Sequence, residues 1–157
     1  MSIQRIVIEA TRESIFSVLV DAYTYPDWLV GAQRIRSVDD SWPAPGSAFH
    51  HVVGFGPIKV ADSTRVTSLA RPDCLELNAH ARPFGRASVR FTLQPASLQP
   101  VSFQSGEKDR TELWLEETPT SPVLRVLASF VDAGIAVRND ASLKRLREVV
   151  LAKYPQP

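Results

Sequence analysis

The feature that most constrains the fold is the stretch of residues 121–155, because no other pattern in the chain is long enough for a major helix. Ser121 is a suitable N-cap, and Pro122 stands at the first helical position, where its missing N–H group is not needed. After Arg138 the surface becomes charged and only a narrow apolar stripe remains, formed by Leu143, Leu146 and Val150. A helix that is apolar in its first half and amphipathic in its second needs a large concave partner.

The first half of this helix carries apolar residues at helical spacing, which form one face. They are Leu124, Leu127, Ala128, Val131 and Ile135. Gly134 lies among them, and glycine inside a helix costs up to about 1 kcal/mol relative to alanine. We therefore expect the missing side chain of Gly134 to leave cavity volume beside Val131 and Ile135.

The totals indicate an ordinary globular domain covering residues 1–157, with 44% hydrophobic and 22% charged residues. Eighteen basic and seventeen acidic residues give a net charge of +1, which is not typical of a nucleic-acid-binding protein. Cys74 is the single cysteine, so an intrachain disulfide and a cysteine-rich zinc site are excluded. No apolar run has transmembrane length, and MSIQRIVIEA shows no signal-peptide core. A cytoplasmic location is the expectation.

The remaining pattern is that of an antiparallel sheet, because apolar and polar residues alternate with period two. The expected strands cover residues 3–8, 33–38, 47–53, 58–70, 74–82, 87–93 and 111–117. Thr11 is the expected N-cap of a short helix after the first strand, and Pro26 favours a second one. Residues 95–110 form a long polar connection. The predicted order is one strand, two short helices, a six-strand meander and the long helix.

Four local sequences resemble those of a known superfamily: EATRESIFSVLVDAYTYPDW, WPAPGS, HVVGFGP and RNDASLKRL. Together with the element order they resemble the helix-grip fold of the SRPBCC or START-like superfamily. That superfamily includes START lipid-transfer domains, Bet v 1-type plant proteins and bacterial polyketide cyclase/dehydrase-like proteins, and the first and last sequences are similar to the bacterial branch. The resemblance implies an α+β fold in which a curved, seven-stranded antiparallel sheet surrounds the long helix and encloses an apolar cavity.

The hairpin around residues 54–57 sets which side chains share a face. If those four residues form the loop, His51 faces Val60 and Phe49 faces Asp62, because cross-strand partners lie on the same side. The apolar side then consists of Phe49, Val53, Ile58 and Val60. It also carries His51 and Asp62 as diagonal neighbours.

Four ionisable groups are predicted to face inward. Besides His51 and Asp62, these are Glu117, which shares the parity of neighbouring leucines, and Arg138 on the long helix. In one interpretation they orient a ligand in an apolar cavity, with His51 as a general base fixed by Asp62. In the other, both carboxylates lie in water at strand ends and Arg138 pairs with one of them. Parity places His80 on the wet face of its strand.

Three function hypotheses follow. The first is a binding module for a small apolar molecule such as a lipid, a polyketide or an aromatic metabolite. Its expected ligand-binding residues are Trp28, Phe49, Val53, Val60, Leu77, Phe91, Leu115, Glu117, Val131, Ile135 and Arg138. The second is a cyclase or dehydratase with His51 and Asp62 as catalytic residues and with no cofactor. The third is an interaction module, for which a homodimer is one option. No metal site is expected, because the spacings of the possible metal-binding residues do not match those of known sites.

Overall fold

The structure is a computed structural model that describes residues 1–55, 57–81, 85–96 and 109–155, although not the side chains at positions 55, 81 and 123–132. Within these residues, seven strands form one antiparallel sheet in the order β1-β7-β6-β5-β4-β3-β2. The elements are β1 (Ser2–Ile8), α1 (Arg12–Leu19), α2 (Tyr25–Trp28), β2 (Ala32–Val38), β3 (Ala48–Phe55), β4 (Ile58–Ala70), β5 (Cys74–Ala81), β6 (Gly85–Pro95), β7 (Thr111–Pro119) and α3 (Pro122–Lys153). The predicted element order is confirmed. The predicted connection at residues 95–110 lies mostly outside the described residues.

Local capping explains why α1 begins where the sequence predicts. The Oγ1 atom of Thr11 accepts a hydrogen bond from the backbone N–H of Ser14, at 3.0 Å. The apolar face of α1 is buried, with Phe16 and Leu19 fully inaccessible to solvent. In α2 the proline stands in the first turn, where its missing N–H group costs nothing.

The β3–β4 hairpin has a different register from the predicted one. His51 lies opposite Asp62 and Val53 lies opposite Val60, so the pairing with Val60 predicted for His51 is wrong. The strands continue to the pair Phe55 and Ile58, because Gly54 allows a close approach: a Cβ atom there would lie 2.6 Å from the Ile58 carbonyl oxygen. The partner of each β3 residue is displaced by two positions. Since two is the side-chain period, the inward face is unchanged.

The second half of α3 packs on the sheet through its narrow stripe, as predicted. Leu143, Leu146 and Val150 are buried in the main hydrophobic core. Two ion pairs join this half to the start of the chain: Arg147 Nη2 lies 2.8 Å from Glu9, and Lys153 Nζ lies 3.2 Å from Asp21. None of the described helices is long and apolar enough to cross a membrane.

Along a strand, the inner face of the sheet passes from residues packed in the core to residues that line a cavity. On β5, for example, Leu75 belongs to the core, Leu77 lies at the boundary, and Ala79 lines an open cavity. On β6 the same order runs from Leu93 to Ala87. The helices cover one end of the inner face of the sheet. At the other end they leave a cavity, which is the candidate site.

Gly134 does not contribute to that space, so the prediction made for it is wrong. It is exposed on α3, and an added Cβ atom would meet no described atom within 4 Å outside its own helix. We expect Gly134→Ala to raise the free energy of unfolding by up to about 1 kcal/mol, because alanine is the better helix former. Urea denaturation measures this difference. A destabilised variant would indicate a packing contact at this position instead.

Candidate functional site

A cavity of about 510 Å³ lies between the sheet, the segment around α2 and the middle of α3. That volume lies within the range of small-molecule sites in proteins. Its apolar wall includes Trp28, Leu29, Val53, Ile58, Val60, Leu77, Ala79, Ala87, Val89, Phe91 and Leu115. Its polar residues include His51, Thr64, His80, Glu117, Arg138 and Asn139.

The structure places most of the predicted ligand-binding residues in this wall, with three exceptions. Phe49 does not line the cavity, because its ring is covered by Tyr25 and Trp42, with ring centroids 4.6 and 5.0 Å away. Ile135 is half-buried on α3 and lies outside the lining. The side chain of Val131 is not among the described ones.

His51 is a deeply buried ionisable group of the wall, with 3% of its surface exposed. Its Nε2 atom lies 3.1 Å from Oγ1 of Thr64. Its Nδ1 atom is buried and has no hydrogen-bond partner among the described residues. Burial lowers the pKa of His51 to about 4, against the opposing effect of the Asp62 charge. The imidazole is therefore neutral near pH 7.

Asp62 lies directly across from His51, but it does not line the cavity. Its Oδ1 atom accepts a hydrogen bond from the backbone N–H of Ser63, at 2.9 Å. The two-residue change of register makes Thr64, and not Asp62, the diagonal neighbour of His51. As a result, the hydrogen bond described for the imidazole goes to a hydroxyl group, and Asp62 acts on it by charge.

Alternation predicts that His80 lies on the wet face of its strand, but the structure places this residue in the cavity lining. The side chain is 25% exposed and lines the cavity, with its Nδ1 atom 3.8 Å from Oδ1 of Asp62. Nδ1 also lies 3.3 Å from the Ser63 hydroxyl group. His80 thus joins Asp62 and Ser63 in one polar group, which alternation within a single strand could not indicate.

Glu117, Arg138 and Asn139 form a second polar group, which connects β7 to α3. Oε2 of Glu117 accepts hydrogen bonds from Arg138 Nη2 at 2.9 Å and from Asn139 Nδ2 at 2.8 Å. The guanidinium also donates to Oδ1 of Asn139. Glu117 is only 7% exposed, so the interpretation that places it in water at a strand end does not apply.

Solved structures of other proteins share the fold of this chain. The Staphylococcus aureus protein SA2116, described as of unknown function, is 6% identical with a TM-score of 0.67, over 98% of this chain and 96% of that one. Ara h 8.0201, which has the Bet v 1 fold, is 11% identical with a TM-score of 0.62, over 96% of both chains. The chain has the helix-grip fold. No protein-family model and no curated protein matches the sequence.

A third structure with the helix-grip fold is the di-domain ARO/CYC StfQ from the steffimycin biosynthetic pathway. It is 8% identical with a TM-score of 0.66, and the match covers 96% of this chain and 50% of that one. At such identities the likeness establishes the fold alone.

Asn139 is a cavity residue that the sequence analysis missed, although the sequence contains a signal for it. It continues the stripe of Leu143, Leu146 and Val150 by one turn toward the start of the helix. Asn139 is 1% exposed, and a polar residue on a buried stripe needs a partner, which Glu117 supplies. A polar residue in this apolar stripe therefore indicates a buried polar partner elsewhere in the fold.

Proposed function

We propose that the protein binds a small apolar molecule in this cavity and acts as its carrier or sensor. The observation that carries the proposal is the cavity itself, which has a mostly hydrocarbon wall and few polar groups, as small-molecule sites generally do. Val53, Val60, Leu77 and Leu115 supply apolar contact from four strands of the sheet, β3, β4, β5 and β7. The helix-grip fold shared with Ara h 8.0201 and StfQ supports the same class of ligand.

The state of His51 favours binding over a cyclase or dehydratase reaction. A general base works best when its pKa lies near the operating pH, and burial holds the pKa of His51 at about 4. The hydrogen bond to Thr64 also differs from the carboxylate contact that fixes the tautomer of most catalytic histidines. The cavity therefore supplies a neutral polar atom and apolar walls, which suit recognition.

Native mass spectrometry of the full chain, purified without added ligand, tests the proposal. We expect a population that is heavier by the mass of one small molecule, and an apolar compound of that mass in an organic extract of the protein. After the bound compound has been removed, fluorescence titration of the protein with pyrene should show saturable binding. The proposal would be contradicted if the protein retained no compound and showed no saturable binding of pyrene.

A further inference from the structure

The edge strand β2 departs twice from regular pairing, and both departures bring side chains to one pocket. Its register with β3 shifts at two places, and each shift leaves one β2 residue, Gln33 or Arg36, without a partner. Bulges of this kind change the direction of a side chain and are common beside functional sites. Here Gln33, Arg34 and Arg36 all line the same open pocket.

This pocket lies on the outer face of the sheet, opposite the cavity. Val52 is one of its residues, and alternation along β3 places the Val52 side chain on the other side of the sheet from that of His51. Ala61, the cross-strand partner of Val52, also lines the pocket, and Lys59 follows two positions away on β4. The pocket therefore extends over three strands and is separate from the proposed ligand cavity.

Gly54 lets the amide group of Gln33 lie close to the sheet in this pocket. A Cβ atom at position 54 would lie 2.7 Å from Nε2 of Gln33, which is too close for any side chain. Lys59 is the cross-strand partner of Gly54. The pocket thus combines the amide of Gln33, the ammonium group of Lys59 and the guanidinium groups of Arg34 and Arg36.

The positive charges of this pocket are not balanced by acidic side chains. In the part of the chain that the structure describes, Arg34, Arg36 and Lys59 form no ion pair, and no carboxylate lines the pocket. By comparison, Nη2 of Arg90 lies 2.6 Å from Oε1 of its cross-strand partner Glu76. Like charges held on one face of a sheet repel one another, and a bound anion would remove that repulsion.

We propose that this pocket binds the phosphate group of an anionic ligand. A phosphate group carries about two negative charges and three acceptor oxygens, so it matches several cations better than a single carboxylate does. The planar guanidinium group binds phosphate through two parallel hydrogen bonds, and Arg34 and Arg36 therefore set the preference. Gln33 and Lys59 supply further donors. This site goes beyond the proposed function and does not depend on it.

Isothermal titration calorimetry of the full chain with sodium pyrophosphate, near neutral pH and at constant ionic strength, tests the site. We expect saturable binding to the wild-type chain. Arg34→Gln with Arg36→Gln should weaken it at least about tenfold, because hydrogen bonds to charged groups are stronger than those between neutral groups. Arg34→Lys with Arg36→Lys should retain part of the affinity, since lysine keeps the charge and loses the paired hydrogen bonds.

The matched control is Arg86→Gln with Arg145→Gln. It removes the same charge from exposed positions on β6 and α3, outside this pocket, so the affinity for pyrophosphate should equal that of wild type. Pyrene should bind equally well to the pocket and control variants, because the cavity lies on the other face of the sheet. Circular dichroism should show that all variants keep the fold.

A second arm identifies the source of the phosphate group. Cosedimentation with vesicles of phosphatidylcholine, with and without an equimolar share of phosphatidic acid, tests a lipid headgroup. Binding of pyrophosphate or of the phosphatidic acid vesicles that is lost in Arg34→Gln with Arg36→Gln supports the site and identifies a soluble or a lipid source. If wild type bound neither, or if the pocket and control variants bound equally, the site would be overturned and the cavity function would stand.

Discussion

The double substitution Ala79→Trp with Ala87→Trp is expected to weaken the binding of pyrene at least tenfold. These two residues are cross-strand partners on β5 and β6, and both line the cavity. Two indole rings would extend from neighbouring strands into the space that the ligand needs. Forcing a ligand into an overfilled site costs about 1–3 kcal/mol, and 1.4 kcal/mol corresponds to a tenfold change in affinity.

A matched control lies one residue away on each strand. Asn78 and Ser88 are also cross-strand partners, and alternation places them on the opposite face of the sheet. Asn78→Trp with Ser88→Trp adds the same two rings outside the cavity, so the affinity for pyrene should be unchanged. Circular dichroism should show that both double variants keep the fold. If the inward pair bound pyrene as well as the outward pair, the ligand would not occupy this cavity.

Stability should fall by about 2 kcal/mol between pH 7 and pH 5 because of His51 alone. The pKa of His51 is about 4 in the folded protein and has its ordinary value of 6.5 in the unfolded chain. Burial is the main cause of this decrease. As the pH falls, the unfolded chain therefore takes up a proton on this histidine before the folded chain does. The contribution is complete above about pH 6.5 and is lost progressively down to about pH 4, at 1.36 kcal/mol per pKa unit.

His51→Gln isolates this effect, because glutamine does not titrate and can keep a hydrogen bond to Thr64. Urea denaturation of both proteins at several pH values gives the difference in their free energies of unfolding. We expect wild type to lose about 2 kcal/mol relative to the variant between pH 7 and pH 5. The charged or titratable groups that act on His51 are Asp62, Arg36 and His50, and all three are present in both proteins. A difference that does not vary with pH would mean that the imidazole is not buried in its neutral form.

The predictions that the structure confirms depend on patterns among residues close together in the chain. The inward direction of Glu117 follows from the alternation of Leu113 and Leu115, and β7 has that alternation. The N-cap at Thr11 depends on a contact only three residues long. Both features are determined by neighbours in the chain, so the sequence contains the information.

The register of the β3–β4 hairpin could not be predicted from local sequence pattern. Its loop is shorter than predicted because Gly54 remains in the strand, with its N–H group donating to the Gly31 carbonyl at 2.9 Å. That contact comes from a distant turn. In the observed register Asp62 lies directly opposite His51 instead of diagonal to it, and Thr64 makes the hydrogen bond to the imidazole.

The sequence by itself therefore determined the element order, the inward face of β3 to β7 and the buried stripe of α3, because these depend on periods of two and 3.6 residues. Only the tertiary structure decided which inward residues face the cavity. Phe49 and Val53 share a strand face, yet Phe49 is covered by the rings of Tyr25 and Trp42, whereas Val53 lines the cavity. The difference depends on what the helices cover across the sheet, and no period within a strand encodes it.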